Sequence, residues 1–408
     1  MRDAKKLLSS VGVIAAVLVL GSALPAPAHI GEVATEPTTL VVRYTKSAAP
    51  ADVNQALAAV GARQLGSIGA LRLMRVEVAA SSVPILRAQS VVEWAYRPSV
   101  AHVMGGRPND PLLNRQWALT TMDVFRGWQH EDGTGSPVTV AVVDSGIDPS
   151  HPDLQGALVK GLDLINDDDD PADDHGHGTH VAGVIAARSN NRKGIAGLSW
   201  GAKVMPLKAC RFDGSCDEYS VTAAIVYAVQ QGAKVINLSL GGPADGCPPA
   251  YDLARRFAEQ RGVALVAAAG NGGNKEAGNP MMYPAGCDGY IGVGATSPFD
   301  EWAPFSEHNS SVDLSAPGMG VLSTIPPALG GMEDDPASPG YGLADGTSMA
   351  APQVSGLAAL LFAAHPGWTA AQVEQRMSTT AIDLGERGRD DYFGEGRINV
   401  GRALSGGR

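Results

Sequence analysis

Aromatic residues are scarce in this chain, 5% of 408 positions, and charged residues reach only 18%. With few large rings and 50 glycines, the interior has to be built from tight turns and closely packed small-residue helices. Basic residues are outnumbered, 31 Lys and Arg against 42 Asp and Glu, for a net charge of −11. A nucleic-acid partner wants a basic stripe, and none is present. An acidic balance favours solubility and cation binding instead. Cysteine is limited to four residues with no Cys-x-x-Cys pair, which argues against a zinc site. There is no internal repeat, and past the first 28 residues no run suggests a membrane helix. What is present, 44% hydrophobic residues in a chain long enough for more than one domain, is the composition of a globular protein with a large core.

Residues 1–28 read as a signal peptide. Arg2, Lys5 and Lys6 form a positive head, residues 11–20 are apolar but short for a bilayer span, and Ala26-Pro27-Ala28 places cleavage before His29. The expected destination is extracellular, with no membrane span once the leader is removed. Four cysteines in an exported chain point to disulfides. Three pairings exist for Cys210, Cys216, Cys247 and Cys287; the short spacing favours Cys210 with Cys216, leaving Cys247 with Cys287.

Along the chain, residues 38–104 read as a small α/β unit. Strand-like patterns cover 39–44, 71–78 and 91–96, and helical spacing covers 51–60 and 83–88. A β-α-β, β-α-β order suits a ferredoxin-like α+β layer. A turn-rich joint follows at residues 105–111. From there strands and helices alternate. Continuous apolar strands are expected at 138–143, 234–240 and 263–269, and helices at 179–187, 219–231, 253–262 and 348–364. Unbroken apolar strands between helices predict an α/β fold of three layers around a mainly parallel sheet. In such sheets chemistry gathers beyond the carboxyl ends of the strands. Asp144, Ser239 and Gly270-Asn271 fall there.

Three side chains have the right types for nucleophilic catalysis. Ser348 lies in Gly346-Thr347-Ser348-Met349-Ala350-Ala351-Pro352, where a Gly turn runs into an apolar helix. His177 opens His177-Gly178-Thr179-His180-Val181-Ala182-Gly183. Asp144 ends an apolar strand before Ser145-Gly146. A serine hydroxyl holds its proton too tightly to attack an amide; an imidazole can remove that proton, and a carboxylate can fix the imidazole. A lone Asp, His or Ser in such surroundings is ordinarily a turn former, a solvated ring or a helix cap. Both heptads, in the order Asp, His, Ser with Ala268-Ala269-Gly270-Asn271 between them, outweigh that ordinary reading. His175, His177 and His180 also suggest a zinc-binding run, but Thr179 stands where such a run needs Asp. His180 is expected to be a packed neighbour and His175 to be solvated.

On these motifs the chain resembles the subtilisin-like serine endopeptidases, the subtilases, over residues 107–408. Residues 38–104 are similar to the inhibitory propeptide of that family, with residues 100–106 as the tail that enters the cleft. The resemblance implies a zymogen that frees itself by cutting its own propeptide, and polypeptide substrates hydrolysed through an acyl-enzyme on Ser348. It implies no cofactor for catalysis, no nucleic-acid partner and a monomer. Asn271 becomes the oxyanion donor beside the Ser348 N–H. Ser239, Leu240, Gly241, Ala268 and Gly270 become the substrate-binding walls. Met282, before Tyr283-Pro284, becomes the pocket floor, with an apolar or medium-sized preference and no acidic selector. The family also implies a structural Ca2+ held by Asp110, Asp153 and Asn191, with Arg192 and Lys193 unusual in that loop. The acidic stretch 166–174 either binds a second ion or stays a solvated loop. A catalytically silent subtilase that only binds peptides is the alternative, and the presence of every triad residue argues against it.

Overall fold

The computed structural model describes residues 37–98, 107–273, 279–326, 334, 335 and 337–405. The expected leader and the expected propeptide tail at 100–106 lie outside these residues. The chain forms two compact units, one up to residue 101 and one from residue 102 onward.

The first unit runs β1 (Pro37–Tyr44), α1 (Pro50–Ala59), β2 (Arg63–Ile68), β3 (Leu73–Ala79), α2 (Val83–Arg87) and β4 (Val92–Tyr96). Its four strands lie in the order β2-β3-β1-β4 and pair antiparallel. Leu40, Val42, Val76 and Val78 point from the sheet onto Val53, Leu57 and Leu86 of the helices. This is the ferredoxin-like layout. The sequence pattern missed β2, because Arg-Gln-Leu-Gly-Ser-Ile has no buried position and no alternation to detect. As an edge strand it is held by its ladder to β3, not by burial.

In the second unit two short helices, α3 (Trp117–Thr121) and α4 (Val124–Gly127), lead into β5 (Thr139–Asp144). Then follow β6 (Leu162–Asp163), α5 (His177–Ala186), β7 (Lys203–Lys208), α6 (Glu218–Gln230), β8 (Val235–Leu238), β9 (Gly242–Pro243), α7 (Pro249–Glu259) and β10 (Ala264–Ala268). The chain continues through β11 (Met282–Tyr283), β12 (Ile291–Thr296), β13 (Leu314–Pro317), β14 (Val321–Thr324), β15 (Asp334–Asp335) and β16 (Ser338–Ala344), and ends in α8 (Thr347–Ala364), α9 (Ala370–Thr380) and α10 (Val400–Ser405). Seven parallel strands form the central sheet in the order β13-β12-β10-β8-β5-β7-β6.

Alternating side chains explain the three layers. Val140 and Val142 of β5 join a core with Val181, Ile185 and most of α8, whereas Ala141 and Val143 join another with Val221, Ile225 and Ala254 of α6 and α7. Helices α5 and α8 therefore cover one face, and α6 and α7 the other. After β5 the chain turns towards β6 and β7, then crosses to β8 on the other side. The switch in direction leaves a crevice at the carboxyl ends of β5 and β8, where ligands collect in such sheets.

Contrary to the sequence expectation, one later helix is long and apolar enough to cross a membrane: α8. It is instead buried in the core, because its Ala, Gly and Leu residues let sheet and helices pack on it from nearly every side.

Candidate active site

Asp144 is the last residue of β5, opposite Lys208 in β7, and is 3% exposed. Its Oδ1 accepts the Ser145 N–H at 2.8 Å and lies 2.8 Å from His177 Nδ1. A carboxylate only accepts, so Nδ1–H donates and Nε2 is left facing the cleft. The start of α5 has to come very close to β5 for this contact. A Cβ at Gly178 would meet Gly146 O at 2.1 Å, so no larger residue fits beside the histidine. Asp173 caps the same helix end. Its Oδ1 accepts the N–H groups of His175 and Gly176 and the hydroxyl of Ser145, and its Oδ2 accepts Thr179 N–H and Oγ1–H. Inside the acidic stretch its role as a cap was not visible, since no periodicity marks an Asp four residues ahead of a helix.

Burial is the largest influence on His177 and lowers its pKa, but the charge of Asp144, its hydrogen bond and the charge of Asp173 together leave it raised above 6.5. His180 is in the opposite condition. Fully buried, with Nε2 3.1 Å from Val321 O and 3.3 Å from Gly342 O, it is pushed down to about 3 by burial and by the neighbouring His177. It is a neutral packing residue. His175 departs from the expectation of a solvated ring. It lines the cleft beside Gly214, and its Nδ1 is buried without a partner. The three histidines thus turn to three different surroundings.

Ser348 is the second residue of α8. Pro352, four residues on, has no N–H and cannot close the helical bond to the Ser348 carbonyl. That carbonyl is taken by Ser239 Oγ–H at 2.7 Å, and Asn237 Nδ2 donates to the same Ser239 hydroxyl at 2.9 Å. The end of β8 and the start of α8 are locked together by this pairing. Ser348 Oγ–H donates to Ser239 O at 3.2 Å and makes no hydrogen bond to His177. The expected serine–imidazole contact is therefore not formed in this state, although both residues line one cleft.

Asn271 follows β10 in a glycine turn. Its Oδ1 accepts Thr347 N–H at 2.8 Å and Thr347 Oγ1–H at 2.9 Å, and Gly270 N–H donates to Thr347 Oγ1 at 3.1 Å. With the carbonyl end committed, Nδ2 is the donor left without a partner among the described residues. The Ser348 N–H lies in the first turn of α8, where a helix leaves its N–H groups unbonded. Two donors thus flank the serine.

The cleft has a volume of about 820 Å3. Asp144, His177, Ser348 and Asn271 line it together with Ser239, Leu240, Gly241, Ala268, Gly270 and Met282. Met282 begins β11, which pairs antiparallel with β9, and a Cβ at Gly241 would lie 3.5 Å from the Met282 Cβ. Glu218 also lines the cleft, an acid far from Tyr283 along the chain and outside every motif that marks the site. The lining has no Lys or Arg among the described residues. Cys210 is bonded to Cys216 and Cys247 to Cys287. Gly214, Ser215 and Cys216 of the first loop form part of the wall.

Asp110, Asp153 and Asn191 also come together. Asp110 accepts the N–H groups of Asn190 and Asn191, and Asp153 accepts Asn191 Nδ2–H, Ile195 N–H and the Tyr341 hydroxyl. The two acids are 4% and 0% exposed, with no cationic side chain paired to either among the described residues. Burial, and less strongly the charge of Asp153, raise the pKa of Asp110 against its hydrogen bonds. Two buried carboxylates suit a hard cation. Asn191 does not match its expected role: it turns Nδ2 to Asp153, and its Oδ1 accepts Lys193 N–H at 2.7 Å. Among the described residues no three His, Cys, Asp or Glu side chains form a metal-holding group. In the acidic stretch, Asp167 to Asp170 are exposed, and Lys160 pairs with Asp169.

Comparison with known proteins gives a consistent result. The subtilase family profile matches residues 135–396. Thermophilic serine proteinase of Bacillus sp. (strain AK1) is 34% identical over 374 residues, 90% of this chain and 87% of that protein. Thermitase of Thermoactinomyces vulgaris is 36% identical over 298 residues, 73% of this chain and 99% of that protein. Among solved structures, fervidolysin of Fervidobacterium pennivorans, described as a keratinolytic enzyme related to subtilisin, superposes with a TM-score of 0.66 at 27% identity. It covers 91% of this chain and 61% of its own.

Proposed function

The chain belongs to the subtilase family and is a serine endopeptidase of the subtilisin type, and from that premise we propose that Ser348, His177 and Asp144 are its triad, with Asn271 as oxyanion donor. The observation that carries the assignment is the 2.8 Å contact of His177 with Asp144 in the cleft that also holds Ser348 and Asn271. On arrival of a peptide, Ser348 Oγ leaves the Ser239 carbonyl and turns to His177 Nε2. Catalytic hydrogen bonds often tighten only in the substrate complex. His177 takes the hydroxyl proton as Oγ attacks the carbonyl carbon, and Asp144 holds the ring and its positive form. Asn271 Nδ2 and Ser348 N–H receive the negative oxygen. His177 then returns the proton to the leaving amine, and water repeats the sequence on the acyl-enzyme.

The reading extends to the whole chain. Residues 1–28 are a secretion leader. Residues 38–104, whose described part has the ferredoxin-like layout, act as an inhibitory propeptide. Residues 107–408 are the active, monomeric, extracellular enzyme, with Ca2+ held by Asp110 and Asp153 as a structural ion. A fluorophosphonate probe tests the central assignment. It should label the processed protein at Ser348 and should not label Ser348→Ala, which should also accumulate as the uncut precursor. Labelling that persists in Ser348→Ala would reject the triad.

A further inference from the structure

Glu307 is a buried acid that the reaction above does not use. It is 0% exposed, its Oε2 has no partner, and no cationic side chain pairs with it among the described residues. An unpaired carboxyl in such a place costs stability, so packing alone gives no reason for it. Its contacts are with the turn that carries Asn271. Gly273 N–H donates to Phe305 O at 2.9 Å, Glu307 N–H donates to Gly270 O at 3.0 Å, and Gly272 N–H donates to Glu307 Oε1 at 3.1 Å. Residue 307 therefore grips the peptide groups on both sides of Asn271, one through its backbone and one through its side chain. The stem fills the space beneath the turn: Gly270 has φ +114°, and a Cβ there would lie 2.8 Å from Glu307 Cγ. Thr347 fixes which end of the Asn271 amide faces the cleft and takes the Gly270 N–H, while residues 305 and 307 hold the rest of the turn from beneath.

We infer that Glu307 is a positioning residue for the oxyanion donor: Oε1 holds the Gly272 N–H so that Asn271 Nδ2 stays aimed at the developing oxyanion. The inference rests on the assignment of Asn271 above. Because the oxyanion exists only beyond the ground state, losing the grip should lower kcat and leave KM nearly unchanged.

The experiment measures kcat and KM per active site, counted with a fluorophosphonate titrant, for Glu307→Ala, Glu307→Met and Glu307→Gln. Met fills the same space without an oxygen acceptor and stands in for Ala if Ala fails to fold. Gln keeps an sp2 oxygen. Ala and Met should lose about ten- to a hundredfold in kcat, as displaced catalytic groups do, and Gln should recover most of it. In an Asn271→Ala background the further loss from Glu307→Met should vanish, because the grip then has nothing to aim. Unchanged kcat in Met, no recovery in Gln, or a full additional loss in the double variant would overturn the inference. Asn271→Ala alone separates the two ideas. If it keeps parental kcat, the oxyanion assignment itself is wrong; if it is impaired while Glu307→Met is not, only the positioning role is lost.

Discussion

At the residue scale, two opposed influences act on His177, the proposed base. Burial alone would lower its pKa; Asp144 reverses the sign. A general base acts in its neutral form, so activity should rise with pH through a value above 6.5. Asp144→Asn removes the charge and leaves burial in place. The acid limb of kcat/KM should then move below its parental position, and kcat should drop by about 10⁴, the loss known for the corresponding change in another serine protease. Stopped assays across pH 5 to 9 check both; an unmoved limb would mean that Asp144 does not govern the titration. The Asp110 and Asp153 pair gives a second residue-scale expectation. A cation that binds only the folded state stabilises it by about 2.7 kcal/mol at a hundred times its dissociation constant. Millimolar Ca2+ should raise Tm in calorimetry, and Asp153→Asn should abolish the rise while the apo Tm changes less.

At the element scale, the decisive local device is the entry to α8. Pro352 frees the Ser348 carbonyl, and Ser239 at the end of β8 accepts the task of satisfying it. Ser239→Ala leaves that buried carbonyl and the Asn237 amide short of a partner, at a cost of about 1–3 kcal/mol. Tm should fall by several degrees, and kcat should fall with it because Ser348 loses its anchor. A variant with parental Tm would show that water replaces Ser239 there. Much of this region was legible in sequence. Apolar runs marked β5, β8 and β10, and the two heptads marked the helices that carry His177 and Ser348. Other elements left no such trace. β7 contains Pro206 and two lysines, β6 and β9 span two residues each, and β2 has no buried face. They exist because neighbouring strands supply ladder partners, which is tertiary information. The grip of Glu307 was hidden because its partners, Gly270 and Gly272, lie far along the chain; the cap by Asp173 is mostly local, but one acid among several neighbours carries no mark of its own.

At the scale of the whole molecule, charge is the property that reaches furthest. Residues 107–408 hold 21 Lys and Arg against 36 Asp and Glu. The cleft wall carries Glu218 and no Lys or Arg among the described residues. A cleft of one sign with low-dielectric walls focuses the field and raises the local concentration of oppositely charged ligands, by tenfold or more at low salt. Met282, the proposed pocket floor, lines the cleft and brings no charge, so the electrostatic preference should be expressed at neighbouring positions of the peptide. Across a matched series of fluorogenic peptides, Lys or Arg at positions flanking a common apolar residue should give kcat/KM about tenfold above Asp or Glu at 10 mM ionic strength. The gap should narrow strongly at 1 M, where the screening length falls to about 3 Å. Glu218→Gln should close part of the low-salt gap and leave the apolar peptide unaffected. If acidic and basic peptides were cut equally well at low salt, the surplus of carboxylates would serve solubility alone, and selection would rest on the shape of the cleft around Met282.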